Sequence, residues 1–214
     1  MSSSPFYNYG KKLKIMANGF DEEDFLTMNI RVKPYSEKEN IMLTVGRLGT
    51  YQKNTVMFLG AIEKIDLKDW KVYLVGSLEK GFEEVKNLYM KKHPEWSDKV
   101  LWTGMVTNRK ELYELFNKSK VFVLPSRFES YGIVYTEAQR FNNYIISTPV
   151  GAVYDIIDNG KYGEIVEIED VAGMAKAIEN VVTGQTKVSV FETFNAKKLA
   201  WMECVKDVVK ALGE

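Results

Sequence analysis

Two carboxylates, Glu129 and Glu137, separated by seven residues, lie in the stretch VFVLPSRFESYG followed by IVYTEAQRF, from Val121 to Phe141. A carboxylate accepts hydrogen bonds through both oxygens, which suits the vicinal hydroxyls of a sugar or a ribose. One carboxylate can hold one sugar and the second another. The plainer reading stands beside it: a loop glutamate is ordinarily solvated, Glu137 can be an ordinary polar helix position, and spacing alone does not choose. Two cations, Arg47 and Lys53, flank the loop GRLGTYQKN, and Lys53 falls near the start of the next helical run. Arg offers a fork of donors and Lys a point charge, a pair that suits a diphosphate beside a helix N-terminus. Surface Arg and Lys are common, so this pair leaves the question open.

The elements that must position these groups follow from the pattern around them. Val121 to Leu124 is a short buried strand stopped by Pro125 and Ser126; a loop carries Arg127 and Glu129, and Gly132 opens a helix. Further strands are expected at Ile41 to Gly46, Val72 to Val75, Val100 to Gly104, Tyr144 to Ser147 and Gly163 to Val166. Between them, Val56, Leu59 and Ala61 or Ile62 recur at helical spacing. So do Phe82, Val85, Leu88 and Tyr89 before Pro94, Leu112, Leu115 and Phe116, and Val171, Met174, Ala175, Ile178, Val181 and Val182. Strands alternating with helices predict right-handed βαβ units and a Rossmann-like α/β domain with a mainly parallel sheet of about six strands flanked by helices. In such a sheet the ligand crevice lies beyond the carboxyl ends of the strands, where both loops point. Residues 1–40 show no strand–helix alternation and read as a hinge segment, with a short helix at Phe20-Asp21-Glu22-Glu23. Residues 41–183 read as the α/β domain and 184–214 as a C-terminal helical extension carrying Trp201, Val205, Val208 and Leu212.

Composition bounds the function class. The 214 residues carry 29 Lys+Arg against 29 Asp+Glu, so no overall basic field recruits nucleic acid or anionic lipid. A single cysteine, Cys204, excludes an internal disulfide framework and a multi-cysteine metal site, and reads as a small core residue. The single His93, before Pro94, reads as helix-terminal rather than as a base or metal ligand. No apolar stretch approaches a membrane span, and MSSSPFYNYG lacks the apolar core of a signal peptide, so the chain reads as cytoplasmic or as a piece of a longer protein. The dinucleotide fingerprint and the Walker loop are both missing, and so is an Asp-x-Asp pair to hold a divalent cation. No cofactor or metal is therefore expected, and charge neutralisation falls to Arg47, Lys53 and helix ends.

The order VGRL…K, LVG, LWTGMV, VLPSRFESYGIVYTEA, STPVGAVYDII and NGKYGEIV, over about Ile41 to Val182, resembles the C-terminal donor-binding domain of retaining glycosyltransferases with the two-domain GT-B fold, in particular glycosyltransferase family 4. Its most specific element is Pro125-Ser126-x-x-Glu129-x-Tyr131-Gly132 with Glu137-Ala138. Upstream, Ile15-Met16-Ala17-Asn18-Gly19-Phe20-Asp21 is similar to the segment where the family's chain crosses between its domains. The resemblance implies that the donor is a nucleoside-diphosphate sugar and that Glu129 contacts hydroxyls of the transferred sugar. Main-chain amides from Ser130 and Tyr131 through Gly132, Ile133 and Val134 would reach sugar and diphosphate, and Glu137 would hold the ribose. Arg47 and Lys53 would bind the phosphates and stabilise the departing diphosphate, with the base received by the loop of Gly104, Met105 and Val106. It also implies an N-terminal domain, outside these residues, that binds a glycan or lipid-linked acceptor, often at the inner face of a membrane. This chain departs from the family at Ser130-Tyr131-Gly132, where Gly-Phe-Gly is common. Asn54 stands for a common Gly, as does Ala152, and Gly76-Ser77-Leu78 replaces a glycine-richer loop. A nucleotide-sugar epimerase of the same architecture, and a binding module that keeps the fold without activity, are the competing readings. The first needs more acid/base groups than one histidine offers.

Overall fold

The computed structural model describes residues 16–188 and 194–212; Ile15 and the rest of the first fifteen residues of the hinge segment lie outside it. Six strands form one sheet: β1 (Glu39–Val45), β2 (Lys71–Val75), β3 (Val100–Gly104), β4 (Ser119–Leu124), β5 (Tyr144–Ser147) and β6 (Gly163–Ile165). Their order is β3-β2-β1-β4-β5-β6 and every pairing is parallel, as the expected Rossmann-like sheet requires. Parallel neighbours need crossovers, and the apolar runs supply them as α2 (Thr55–Ile62), α3 (Phe82–Lys92), α4 (Arg109–Lys118), α5 (Ile133–Arg140) and the short α6 (Val153–Ile156). After β6, α7 (Val171–Val182) packs back against α2.

Strand order reverses between β1 and β4, so the crevice opens between the loops that follow those two strands. The sheet is buried on both faces. Met42, Val72, Leu74, Val121, Val123 and Ile146 meet α2, α3 and α7 on one side, whereas Leu43, Phe122, Leu124 and Ile145 meet α4, α5 and α6 on the other.

The helix faces differ in detail from the apolar spacing. Phe82 and Tyr89 of α3 are buried while Val85 and Leu88 face solvent, and Val56 of α2 is half exposed. A helix lying across a twisted sheet buries the narrow stripe that meets strands, so an apolar residue one turn-face aside stays wet. The described part of the hinge segment is structured: α1 (Glu22–Thr27) is N-capped by Asp21 and delivers Phe25, with Phe20, into an aromatic cluster with Tyr113 and Phe141. Arg140 closes this cluster, bound two-pronged to Glu22 at 2.9 and 2.8 Å and lying over the Phe25 ring. The last helix, α8 (Trp201–Leu212), leaves Met202 and Val209 exposed and Cys204 half-buried rather than in the core. His93 caps the end of α3, stacked on Trp96 and bonded to Glu63 at 2.9 Å.

Candidate functional site

Residues Arg47 to Asn54 connect β1 to α2, and Pro125 to Gly132 connect β4 to α5. The two loops bring Lys53 and Glu129 together: Lys53 Nζ lies 2.6 Å from Glu129 Oε1, and both side chains are largely buried. The same oxygen accepts from Ser126 Oγ at 2.7 Å, while Oε2 accepts a longer contact from Gln52 Nε2 at 3.4 Å. With a cation and a hydroxyl on Oε1, the largely buried carboxylate leaves lone pairs of Oε2 for a ligand hydroxyl.

Gly46 makes this geometry possible: a Cβ there would sit 3.0 Å from Lys53 Cε, so the lysine stem runs flat across the glycine. The family departure at Asn54 is accommodated by the backbone. Asn54 adopts φ 47, ψ 42, the left-handed region that asparagine tolerates better than most residues. Ala152 has φ −91, ψ 17, an ordinary conformation that needs no glycine, and its amide donates to Tyr131 O at 3.0 Å.

At the start of α5, Gly132 takes φ 81, ψ 65, and a Cβ there would strike the Tyr135 ring at 2.6 Å. The side-chain caps on α1, α4 and α7 (Asp21, Asn108 and Asp170) accept first-turn amides of their helices. Gly132 offers no such acceptor, so the amides of Ile133 and Val134 remain for an anion. Ser130 and Ile133 are exposed and Val134 is half-buried, so the turn that carries these amides is open to solvent. Tyr131 donates its hydroxyl to Asn18 O at 3.4 Å, and burial raises its pKa.

Glu137 sits one turn further along α5. Burial pushes its carboxyl from an ordinary 4.5 up to about 7, and the field of Arg109 opposes the shift. Its carboxylate has no hydrogen-bond or ion-pair partner among the described residues, whereas Arg109 donates to the Tyr113 hydroxyl at 2.7 Å. Arg47 is not drawn to the Lys53–Glu129 pair; its guanidinium meets Glu79 at 3.3 Å with two-thirds of the side chain in solvent. Gly104 ends β3, whose carbonyl accepts from the Gly76 amide at 2.9 Å, with Met105 exposed and Val106 half-buried beyond it. The β3 and β4 loops are three strand spacings apart, about 14 Å, so a ligand touching both is extended across the sheet's end. Among the described residues no three His, Cys, Asp or Glu side chains cluster as metal ligands, and no helix is long and apolar enough to cross a membrane.

Sequence reasoning missed Gln52, Arg127 and Glu169. Arg127 ion-pairs with Glu169 and Gln52 reaches the β4 loop, contacts made across 42 and 76 residues that no local spacing announces.

The chain matches the family model "Glycosyl transferases group 1" over residues 28–198. It is 25% identical over 202 residues to the N-acetyl-alpha-D-glucosaminyl L-malate synthase of Bacillus anthracis, covering 88% of this chain and 51% of that protein. It is 26% identical over 177 residues to the capsular polysaccharide biosynthesis glycosyltransferase CapM of Staphylococcus aureus, covering 79% and 45%. Among solved structures it superposes on HepE of Anabaena in complex with UDP and glucose with a TM-score of 0.67 at 16% identity, covering 94% of this chain and 56% of that one. The chain spans about half the length of the curated relatives it matches.

Proposed function

Because this chain belongs to the glycosyl transferases group 1 family, we propose that it is the donor-binding half of a retaining glycosyltransferase of family 4. In this reading the enzyme moves a sugar from a nucleoside-diphosphate sugar to a glycan or lipid-linked acceptor. The observation that carries it is the joining of Lys53 to Glu129 at the crevice between the β1 and β4 loops, with Glu137, without a partner among the described residues, one turn into the helix that follows.

Glu129 Oε2 takes hydroxyls of the sugar and Glu137 takes the two ribose hydroxyls. The amides of Tyr131 to Val134 and the ammonium of Lys53 face the diphosphate, and the loop of Gly104 to Val106 receives the base. As the oxygen of the acceptor hydroxyl bonds to the anomeric carbon, that carbon's bond to the diphosphate oxygen breaks, negative charge grows on the leaving group, and the hydroxyl proton passes to the departing diphosphate oxygen. Preplaced cations and helix-end amides favour that charge more than the ground state, so no metal is required of the mechanism. Arg47 joins them by leaving exposed Glu79, a surface pair that costs little to break. A relative named for capsular polysaccharide biosynthesis, and a structural neighbour in complex with UDP and glucose, support a uridine donor and a cell-surface glycan product.

The test is thermal unfolding with UDP, GDP, ADP and their common sugar conjugates, repeated on Glu137→Ala. A ligand at 100 times its dissociation constant adds about 2.7 kcal/mol, which raises Tm by roughly 5–10 °C for a domain this size. A shift selective for one nucleotide and lost in the variant is expected; no shift with any of them, in this chain and in the full-length protein, removes the reading.

A further inference from the structure

The two loops that carry Lys53 and Glu129 come from strands adjacent in the sheet but 76 residues apart in sequence, and something must fix their register. The Lys53–Glu129 pair cannot do so unaided, since in the proposed reaction both partners also hold the donor. Around Arg127 the loops are tied by contacts that spare both. The Arg127 amide donates to Gln52 O at 2.8 Å, and Arg127 Nη1 donates to Tyr51 O at 2.6 Å. The guanidinium also stacks on the Tyr51 ring, 4.3 Å from its centroid. Its Nε is bound to Glu169, in the loop between β6 and α7, and Glu169 also accepts from Asn54 Nδ2 at 3.5 Å. From the other side, Gln52 Nε2 donates to Phe128 O at 3.1 Å.

Glu169 holds this position at φ 67, a left-handed conformation that non-glycine residues rarely adopt. The Arg127 side chain is largely buried although it sits at the rim of the crevice. A guanidinium can bind a carbonyl, a carboxylate and a ring face at once because its donors are fixed in one plane, which an ammonium cannot match.

We propose that Arg127 is a positioning residue: by bolting the Tyr51–Asn54 segment to Phe128–Glu129 and to Glu169, it sets the distance between the sugar-binding carboxylate and the phosphate-binding ammonium. This rests on the donor-site reading above. It implies that Arg127 matters to the sugar-diphosphate end of a donor and not to the ribose end, which Glu137 holds from α5.

The experiment is calorimetric titration of UDP-glucose and of UMP into the wild-type protein and its R127M, R127K and E169Q variants. Expected for R127M is a loss of about tenfold or more in UDP-glucose affinity with UMP affinity within twofold. R127K fails to restore it, and E169Q, which keeps Arg127 in place, shows a smaller loss of the same selectivity. Equal loss for both compounds in R127M and E169Q, or no loss for either, overturns the proposal. Where the wild-type protein does not bind both compounds, the uridine-donor reading fails on its own account and amide exchange decides the positioning claim. Faster exchange at residues 50–54 and 126–129 in R127M or E169Q, with β1 unchanged, supports it; unchanged exchange in both loops overturns it.

Discussion

Glu137 is the residue whose chemistry responds most to its surroundings, because burial lifts its carboxyl to about 7 from an ordinary 4.5. The folded protein then binds more protons than the unfolded chain between those values, so this group's contribution to stability falls as pH rises through that window. The proposed binding of ribose hydroxyls has the opposite sign, since only the carboxylate accepts from both. The ionised fraction grows about tenfold between pH 6 and 8, and nucleotide affinity is expected to rise by up to the same factor over that range. Glu137→Gln is expected to flatten the profile, which titration calorimetry at several pH values reads directly; an identical slope in the variant assigns the effect elsewhere. At this scale the sequence was informative where residue type met spacing. Glu129 and Lys53, picked from their loops, do meet across the crevice. Arg47, chosen on the same grounds, turned to Glu79, because an exposed guanidinium pairs with whichever carboxylate the neighbouring loop offers.

Among the elements, α4 has an unusual C-terminal end. Lys38, immediately before β1, is buried and donates its ammonium protons to the carbonyls of Phe116 (3.0 Å), Asn117 (2.8 Å) and Ser119 (3.0 Å). Burial lowers its pKa to about 7, and the charge of Lys33 acts in the same direction. Lys38→Met is expected to cost about 2 kcal/mol, because the Asn117 carbonyl is left without a donor, and to lower Tm by roughly 4–8 °C. A thermal melt within 1 °C of wild type, to order of magnitude, would mean that water or a shifted side chain replaces the lysine. Strands were legible in the sequence to within a residue or two, since short apolar runs bounded by Gly, Pro and Ser have no other way to bury themselves. Helix faces were less so. Leu88 and Val56 carry the right spacing yet face water, because spacing tells that a stripe exists and the twist of the sheet decides which stripe is covered. Lys38 was invisible for a related reason: its carbonyl partners lie about eighty positions away, and its own neighbours Ser36-Glu37 and Glu39-Asn40 read as a solvated run.

For the molecule as a whole, the six-stranded order places every proposed donor contact at one end of the sheet, within the family match at residues 28–198. If the acceptor is held by a second domain, as the proposed reading has it, this chain alone binds UDP-glucose yet gives no transfer above slow donor hydrolysis, followed by release of free glucose against glycosylated product. Efficient glycosylation of an added acceptor by these residues alone would show that the acceptor site is here as well. The place where the hinge segment meets the last helices carries a simpler consequence. Phe20 and Ala200 pair as a parallel bridge, with the Phe20 amide donating to Leu199 O at 2.6 Å and the Trp201 amide to Phe20 O at 3.2 Å. The chain thus passes into and out of the six-stranded body through a single seam. A chimera that exchanges residues 20–200 between related proteins would be stitched at one place rather than two, which, on the proposed reading, makes donor choice a transplantable property.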